Sequence, residues 1–530
     1  MTEVSMKRRT ELVAILVTFS AASVFAADWP GYQGPRRDGT STEKGILSTW
    51  PTEGPKVLWT VPLGIGFGGP AVSRGKVYLL DRDDKVGDTL RVYDLANGKE
   101  LWTFAYDAPG SFEFPGSRST PTVDGNIVYT VGPLGDLHAV DINTHKPVWR
   151  KNIWREFGGG TEFIVMPRRP GGMQGPPPTA PQGAPPAPPS GQAGPPAGQA
   201  AAPAAPPAAP SGTPAAPPGA PGGTPPALPG APGGMPPAAP GAPRGGSPFG
   251  PDGFGGGSTT FPLWGITQNP LVYRSLVIVA PQAPEAGVVA YDKLTGELKW
   301  KTASLGGTGF VSPSFVKVGA EDHLVMVTAA KGFGRNASGG SVNGLDPLTG
   351  KVLWTYANFQ CSIPVPHAVD AGEGRVLMTA GYRAGSAMIK VQKKADGSYD
   401  VAELFKNPDF GAHTQPPVLY KDHFYVQYTV NERSDGLVCM TMNGQVKWKT
   451  GEEPRFSKGG AVLADGLLLA TDGNTKLYVI EPDPAGFKPL ASAELLEPGN
   501  NWAPIALVDG KLLIRDQKQM KCVQVAQSAK

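Results

Sequence analysis

Short runs of alternating apolar and polar residues recur along the chain, broken at close intervals by Gly, Asn or Asp. The first clear unit is PAVSRGKVYLL followed by LRVYDLANGKELW, which ends at Trp102. TPTVDGNIVYTV with LHAVDINTHKPVW ends at Trp149, NPLVYRSLVIVA with GVVAYDKLTGELKW at Trp300, and SPSFVKVG with SVNGLDPLTGKVLW at Trp354. A degraded fifth unit runs from HAVDAGEGRVLMTA to VAELFK, and PPVLYKDHFYVQY with GLVCMTMNGQVKW ends at Trp448. GAVLADGLLLAT with KLYVIEP, then APIALVDGKLLIRDQ with KCVQV, complete the series. Alternation of period two predicts half-buried strands, and the turn residues between them predict hairpins. A repeat of about 40–50 residues is the length of one propeller blade. The chain is therefore predicted to be all-β, an eight-bladed β-propeller of four-stranded antiparallel blades.

The full units share a local chemistry. Asp94, Asp141, Asp292 and Asp346 are placed to bond their own downstream backbone and start a tight turn. Gly98, Gly296 and Gly350 supply the positive-φ position that such a turn needs. The Trp that follows offers a flat apolar face to the next blade. Trp59, Trp102, Trp149, Trp300, Trp354 and Trp448 are thus predicted to dock blades together, not to stack a cofactor. The eighth unit stops one strand short, while PKVLWTV (55–61) has the sequence of an outermost strand and follows no blade. Pairing of Lys56–Thr60 with Lys521–Val525 would close the ring and hide two free edges. Seven blades with loose ends is the competing count.

Composition adds segments that the pattern does not contain. Lys7, Arg8 and Arg9, an apolar run from Leu12 to Phe19, and Val24-Phe25-Ala26 predict an export signal over residues 1–26. The run is shorter than the ~20 residues a bilayer needs, and no Cys adjoins the cleavage site to carry a lipid. The mature chain is expected in the periplasm or cell envelope, with no transmembrane span, as an extension (27–54) followed by the propeller (55–530). Residues 168–258 are almost wholly Pro, Gly and Ala, which predicts a disordered insertion within the propeller. The fold tolerates it because loop-closure cost grows only logarithmically with length. A net charge of +3 without a basic stripe argues against nucleic acid. Cys361, Cys439 and Cys522 give no disulfide framework, and Cys439 and Cys522 sit where other units carry small strand residues. His138, His145, His323, His367, His413 and His423 show no metal-ligand spacing, and no metal site is predicted. GFGG (66–69) and GGTGF read as turn glycines, since no helix follows them.

AYDKLTGELKW and GLDPLTGKVLW resemble the pyrroloquinoline-quinone (PQQ) type of propeller repeat, and units of this kind cover the chain from about Lys56 onward, the insertion aside. DWPGYQGPRRDGTS, PLWGITQNPLV and WAPIALVDGKLLIRDQ resemble the bacterial PQQ-binding-like propellers of the cell envelope. The resemblance implies fold more than activity. One branch, the quinoprotein alcohol dehydrogenases, holds PQQ and Ca²⁺ in the central funnel, often on a disulfide of adjacent cysteines. This chain has no adjacent Cys pair, no Cys-x-x-Cys-His and no assignable acidic cluster. The other branch, a propeller lipoprotein that assists outer-membrane β-barrel assembly, is non-catalytic.

The propeller topology places the segment before each innermost strand at the rim of the channel. Those segments carry Arg118, Ser119, Trp264, Gln268, Asn269, Ser312, His367, His413, Gln415, Lys458, Asn501 and Trp502. Convergent polar groups with a few aromatics form a default ligand site, and Arg118 and Lys458 would favour an anion. The competing view is that these residues only fill the channel and satisfy strand ends. The expected function is an exported, non-catalytic, monomeric scaffold binding an envelope protein, a glycan or a small ligand, with no cofactor. A PQQ-dependent oxidoreductase with a funnel site is the alternative.

Overall fold

The computed structural model describes residues 28–160 and 261–527, except 263, 332–336 and 431–432. The expected export signal (1–26) and Pro-rich insertion (168–258) lie outside the described residues. The described strands form eight four-stranded sheets, each an antiparallel meander. Numbered in chain order, the blades begin at Ala71–Ser73, Thr122–Asp124, Leu271–Tyr273, Ser314–Val318, Val369–Asp370, Val418–Tyr420, Ala461–Ala464 and Ala506–Val508. First strands of neighbouring blades approach one another, as in blades 8, 1, 2 and 3, and line the centre of the ring. The degraded fifth unit is a complete blade that ends at Tyr399–Asn407.

Ring closure follows the sequence expectation. Blade 8 supplies Ala506–Val508, Lys511–Arg515 and Gln519–Gln524, and its outer edge is Val57–Pro62 from the other end of the chain. Trp59 lies opposite Cys522, Thr60 opposite Lys521 and Val61 opposite Met520. Burial then grades outward through a blade. Ile127–Val131, the second strand of blade 2, is buried throughout because neighbouring blades cover both its faces. Glu100–Asp107, the outermost strand of blade 1, alternates between exposed and half-buried positions. All three cysteines are buried free thiols.

The turn chemistry explains how blades dock. Asp94 Oδ1 accepts from the amides of Ala96 (2.9 Å) and Asn97 (3.2 Å), and Asp292 Oδ1 from those of Leu294 and Thr295 (3.0 Å each). These bonds curl the chain so that Gly296, at φ 71°, lies under the Trp149 indole of the preceding blade. A Cβ at Gly296 would come within 2.7 Å of that ring. Trp149 Nε1 also donates to the Lys293 carbonyl of the same turn at 3.1 Å, and Trp59 Nε1 donates to the Leu95 carbonyl at 2.9 Å. In blade 2 the glycine position holds His145, also at positive φ (59°), whose ring stacks on Trp102 with centroids 4.4 Å apart. Trp59, Trp149, Trp300 and Trp354 are buried, and Trp102 and Trp448 are partly buried against the core.

Residues 28–47, expected only as an extension, insert into the ring. Trp29 exchanges two backbone bonds with Val72 of blade 1 (2.9 and 2.7 Å), and Pro30 O accepts from Val123 N of blade 2 (2.8 Å). Tyr32 then meets the His367 ring edge-on at 5.6 Å, before blade 5, and Gln33 Nε2 donates to Gln415 Oε1 at 3.1 Å, before blade 6. Gly39 and Ser41 bond both backbone groups of Leu463 in blade 7 (2.9 and 2.8 Å). Glu43 accepts from the amides of Asp509 and Gly510 in blade 8 at 2.7 Å each, and Leu47 N donates to Val525 O at 2.8 Å. Blades 1 and 2 stand opposite blades 5 and 6 in an eight-membered ring, so the segment crosses the axis. Its contacts with Arg74, Asp465 and Gly510 place it at the end where first and second strands turn, called here the lower end. Gly34 (φ 78°) permits the tight fold over Trp29, because a Cβ there would lie 2.7 Å from the indole.

Candidate functional site

The segments that precede the first strands gather at the upper end of the channel. Four of the residues expected there come together: Arg118, Trp264, Lys458 and Trp502. Phe67, Phe112, Phe114 and Phe310 join them, and the sequence reading had not selected these. Phe67 and Phe310 stand in GFGG and GGTGF, read only as turns, and Phe112 and Phe114 in SFEF. Glycine admits the close approach: a Cβ at Gly68 would lie 2.5 Å from the Ser119 carbonyl, and one at Gly69 2.7 Å from that of Pro504.

The rings form a continuous cluster. Phe67 lies 5.4 Å from Trp502 and 6.1 Å from Phe114, and Phe114 lies 5.8 Å from both Trp502 and Trp264. Trp264 packs on Phe310 at 4.9 Å and donates Nε1–H to Glu113 at 3.0 Å. Two cations sit on this floor. The Arg118 guanidinium lies 5.7 Å from the Phe67 centroid and 5.5 Å from that of Phe112. Lys458 Nζ lies 4.2 Å from the Trp502 centroid. Arg118 donates to the Phe114 carbonyl, but its Nε is buried with no hydrogen-bond partner among the described residues. Burial pulls Arg118 down to about 9; burial, and then the like charge of Arg455, pull Lys458 down to about 8. Both stay cationic at neutral pH, and neither forms an ion pair within the described residues. Ring faces attract such cations but do not neutralise them.

The other expected residues are placed elsewhere in the channel wall and bond within the fold. Asn269 Oδ1 accepts from Thr120 N at 2.6 Å, and its Nδ2 donates to Ser312 Oγ at 2.9 Å, which joins blades 2, 3 and 4. Gln268 Nε2 donates to the Gly309 carbonyl at 3.2 Å, and Ser119 Oγ lies 3.4 Å from the Thr120 carbonyl. Gln415 Nε2 donates to the Trp502 carbonyl at 3.0 Å while its Oε1 receives Gln33. Asn501 Nδ2 donates to the carbonyls of Glu497 (2.7 Å) and Asn474. His367 donates Nδ1–H to the Ala368 carbonyl at 2.8 Å, and burial lowers it to about 4. His413 is buried with its ring 4.7 Å from Tyr382. These residues were grouped with the mouth because they share its segments. They serve strand ends and the inserted segment instead.

The upper cluster does not fit PQQ. A planar cofactor held between two rings needs about 7 Å between them, twice the carbon contact distance of ~3.5 Å. The rings here meet edge-on or tilted with centroids 4.9–6.1 Å apart, and no two stand parallel across such a gap. Among the described residues no group of three or more His, Cys, Asp or Glu could hold the accompanying metal ion.

Eight four-stranded blades, several of them docked through Asp–Gly–Trp turns and the last closed by an early strand, define a propeller of the PQQ-repeat type. The sequence model described as "Outer membrane protein assembly factor BamB" matches residues 27–166 and 258–429, and the chain belongs to that family. No curated protein sequence matches it. Among solved structures it is similar to the quinohemoprotein alcohol dehydrogenase of Comamonas testosteroni, at 13% identity and a TM-score of 0.53, covering 95% of this chain and 81% of that one. Quinohemoprotein alcohol dehydrogenase ADHIIG of Pseudomonas putida HK5 gives 11% identity, a TM-score of 0.53 and the same coverages of 95% and 81%. BamB of Moraxella catarrhalis gives 11% identity and a TM-score of 0.48 over 89% of this chain and 99% of that one. At such identities the likeness to solved structures shows the fold alone.

Proposed function

We propose that this protein is an exported, non-catalytic propeller scaffold that holds an acidic segment of an envelope protein at its upper mouth. The carrying observation is the pair of cations, Arg118 and Lys458, set on aromatic faces and in no ion pair among the described residues. A carboxylate entering there would neutralise charges that the fold has partly removed from water, while the rings offer apolar contact to the rest of the segment. The family's own description, an assembly factor for outer membrane proteins, supports a protein partner in the envelope.

Calorimetric titration with a short oligoglutamate peptide carrying one aromatic residue, against a neutral peptide of equal length, tests the reading. Binding of the acidic peptide alone, weakened by salt and lost in Lys458→Glu, is the expected result. Equal behaviour of the two peptides would reject it. The oxidoreductase alternative is met by adding PQQ and Ca²⁺: stoichiometric uptake with dye-linked alcohol or sugar oxidation would replace the scaffold reading with an enzymatic one.

A further inference from the structure

The inserted segment carries another cation that forms no ion pair among the described residues. Arg37, in the inserted segment, lines a cleft of about 20 Å³ together with Tyr32, Asn269, Ser312, Ser314 and His367. The one hydrogen bond of its guanidinium runs to the Val272 carbonyl at 3.4 Å, longer than a good N–H···O bond. Among the described residues no carboxylate forms an ion pair with it. Asp124, the acid whose field it feels, is already held by Lys293 at 2.5 Å.

The hydroxyls around the cleft sharpen this. Ser312 Oγ accepts two bonds from Asn269, from the backbone amide and from Nδ2, each 2.9 Å. Both acceptor positions are used, so the Ser312 proton is free to point at a guest. Ser314 Oγ and His367 Nδ1 both donate to the Ala368 carbonyl, each at 2.8 Å, and are spent within the wall. The cleft thus offers a full positive charge and one hydroxyl proton, and it lacks a negative group. Its volume suits an occupant of one atom: a water needs ~10–15 Å³ on this measure, and a phosphate or carboxylate needs several times that.

We propose that this cleft is a binding site for one monatomic inorganic anion, held by the Arg37 guanidinium and the Ser312 hydroxyl, which pins the inserted segment to blades 3 and 4. Water is the competing occupant. It could accept from both donors, but it would leave the half-buried charge uncompensated.

Crystals grown in sodium bromide and thermal unfolding in chloride against gluconate, at equal ionic strength, test the site. Expected are an anomalous bromide peak within hydrogen-bonding distance of Arg37, and a midpoint that rises with millimolar chloride but not with gluconate. In Arg37→Met, which keeps the apolar stem, the midpoint should not respond to chloride. A density without anomalous signal in the cleft, or equal midpoints in chloride and gluconate, would overturn the proposal. Should Arg37→Met fail to fold, the bromide peak and the wild-type chloride titration decide the matter.

Discussion

The two ends of the channel are occupied by different means. At the lower end a stretch of backbone enters the ring and bonds strand ends in blades 1, 2, 7 and 8. At the upper end the contacts are mainly between side chains of several loops, with scattered backbone bonds such as Phe67 N to the Ser117 carbonyl at 2.7 Å. A backbone insert replaces hydrogen bonds that strand ends would otherwise make to water, and those bonds do not depend on the identity of each side chain. A cluster built mainly of side chains from several loops rests less on such a ladder. It is the end where shape and charge can alter without breaking the fold, and so the end suited to recognition.

This contrast can be tested by a graded set of changes. Deletion of residues 28–47 removes Trp29 and Ile46 from the core with their backbone bonds. It is expected to lower stability by about 5 kcal/mol or more in denaturant titration; an unchanged midpoint would mean the lower end is an appendage. Trp29→Ala alone should cost about 3–5 kcal/mol. Acid should act at the lower end next. Burial, and then the nearby Arg37 charge, hold His367 at about 4, against 6.5 for the free side chain. The unfolded chain therefore binds the proton first. Stability should be full above pH 6.5 and fall by up to about 3 kcal/mol as pH drops toward 4, with a shallower slope in His367→Asn. At the upper end Trp502→Ala, at a partly buried site, should cost only about 1–2 kcal/mol. Lys458→Met should stay within about 0.5 kcal/mol while abolishing acidic-peptide binding. A Trp502→Ala cost equal to that of Trp29→Ala would erase the distinction.

The ring was legible in the sequence because its determinants are local. Asp292, Gly296 and Trp300 sit at offsets that specify a turn and a docking face, and the missing strand of the last unit pointed to Val57–Pro62. His145 shows the limit of pattern matching, since it fills the glycine position of the motif and is recognised by its stack on Trp102. Residues 28–47 were not legible, because much of their role rests on main-chain pairing, to which almost any residue can contribute. Only Gly34, needed beneath Trp29, leaves a trace in composition. The segments before the first strands were legible, but the pattern does not separate residues that face the mouth, such as Lys458, from those that turn into the wall, such as Asn269. That depends on which way each strand enters the ring.

The latch of Trp59 onto Cys522 has a temporal consequence. Its two partners are supplied by opposite ends of the polypeptide, so the circle cannot be completed until the final strands have emerged. Until then Val57–Pro62 and the Gln519–Gln524 edge of blade 8 lack their partner; such edges are templates for association with other chains, and contacts of such long sequence separation form slowly. Overlap of early and late strands in one blade thus makes a cooperative checkpoint of ring closure, after which that blade has its full complement of four strands.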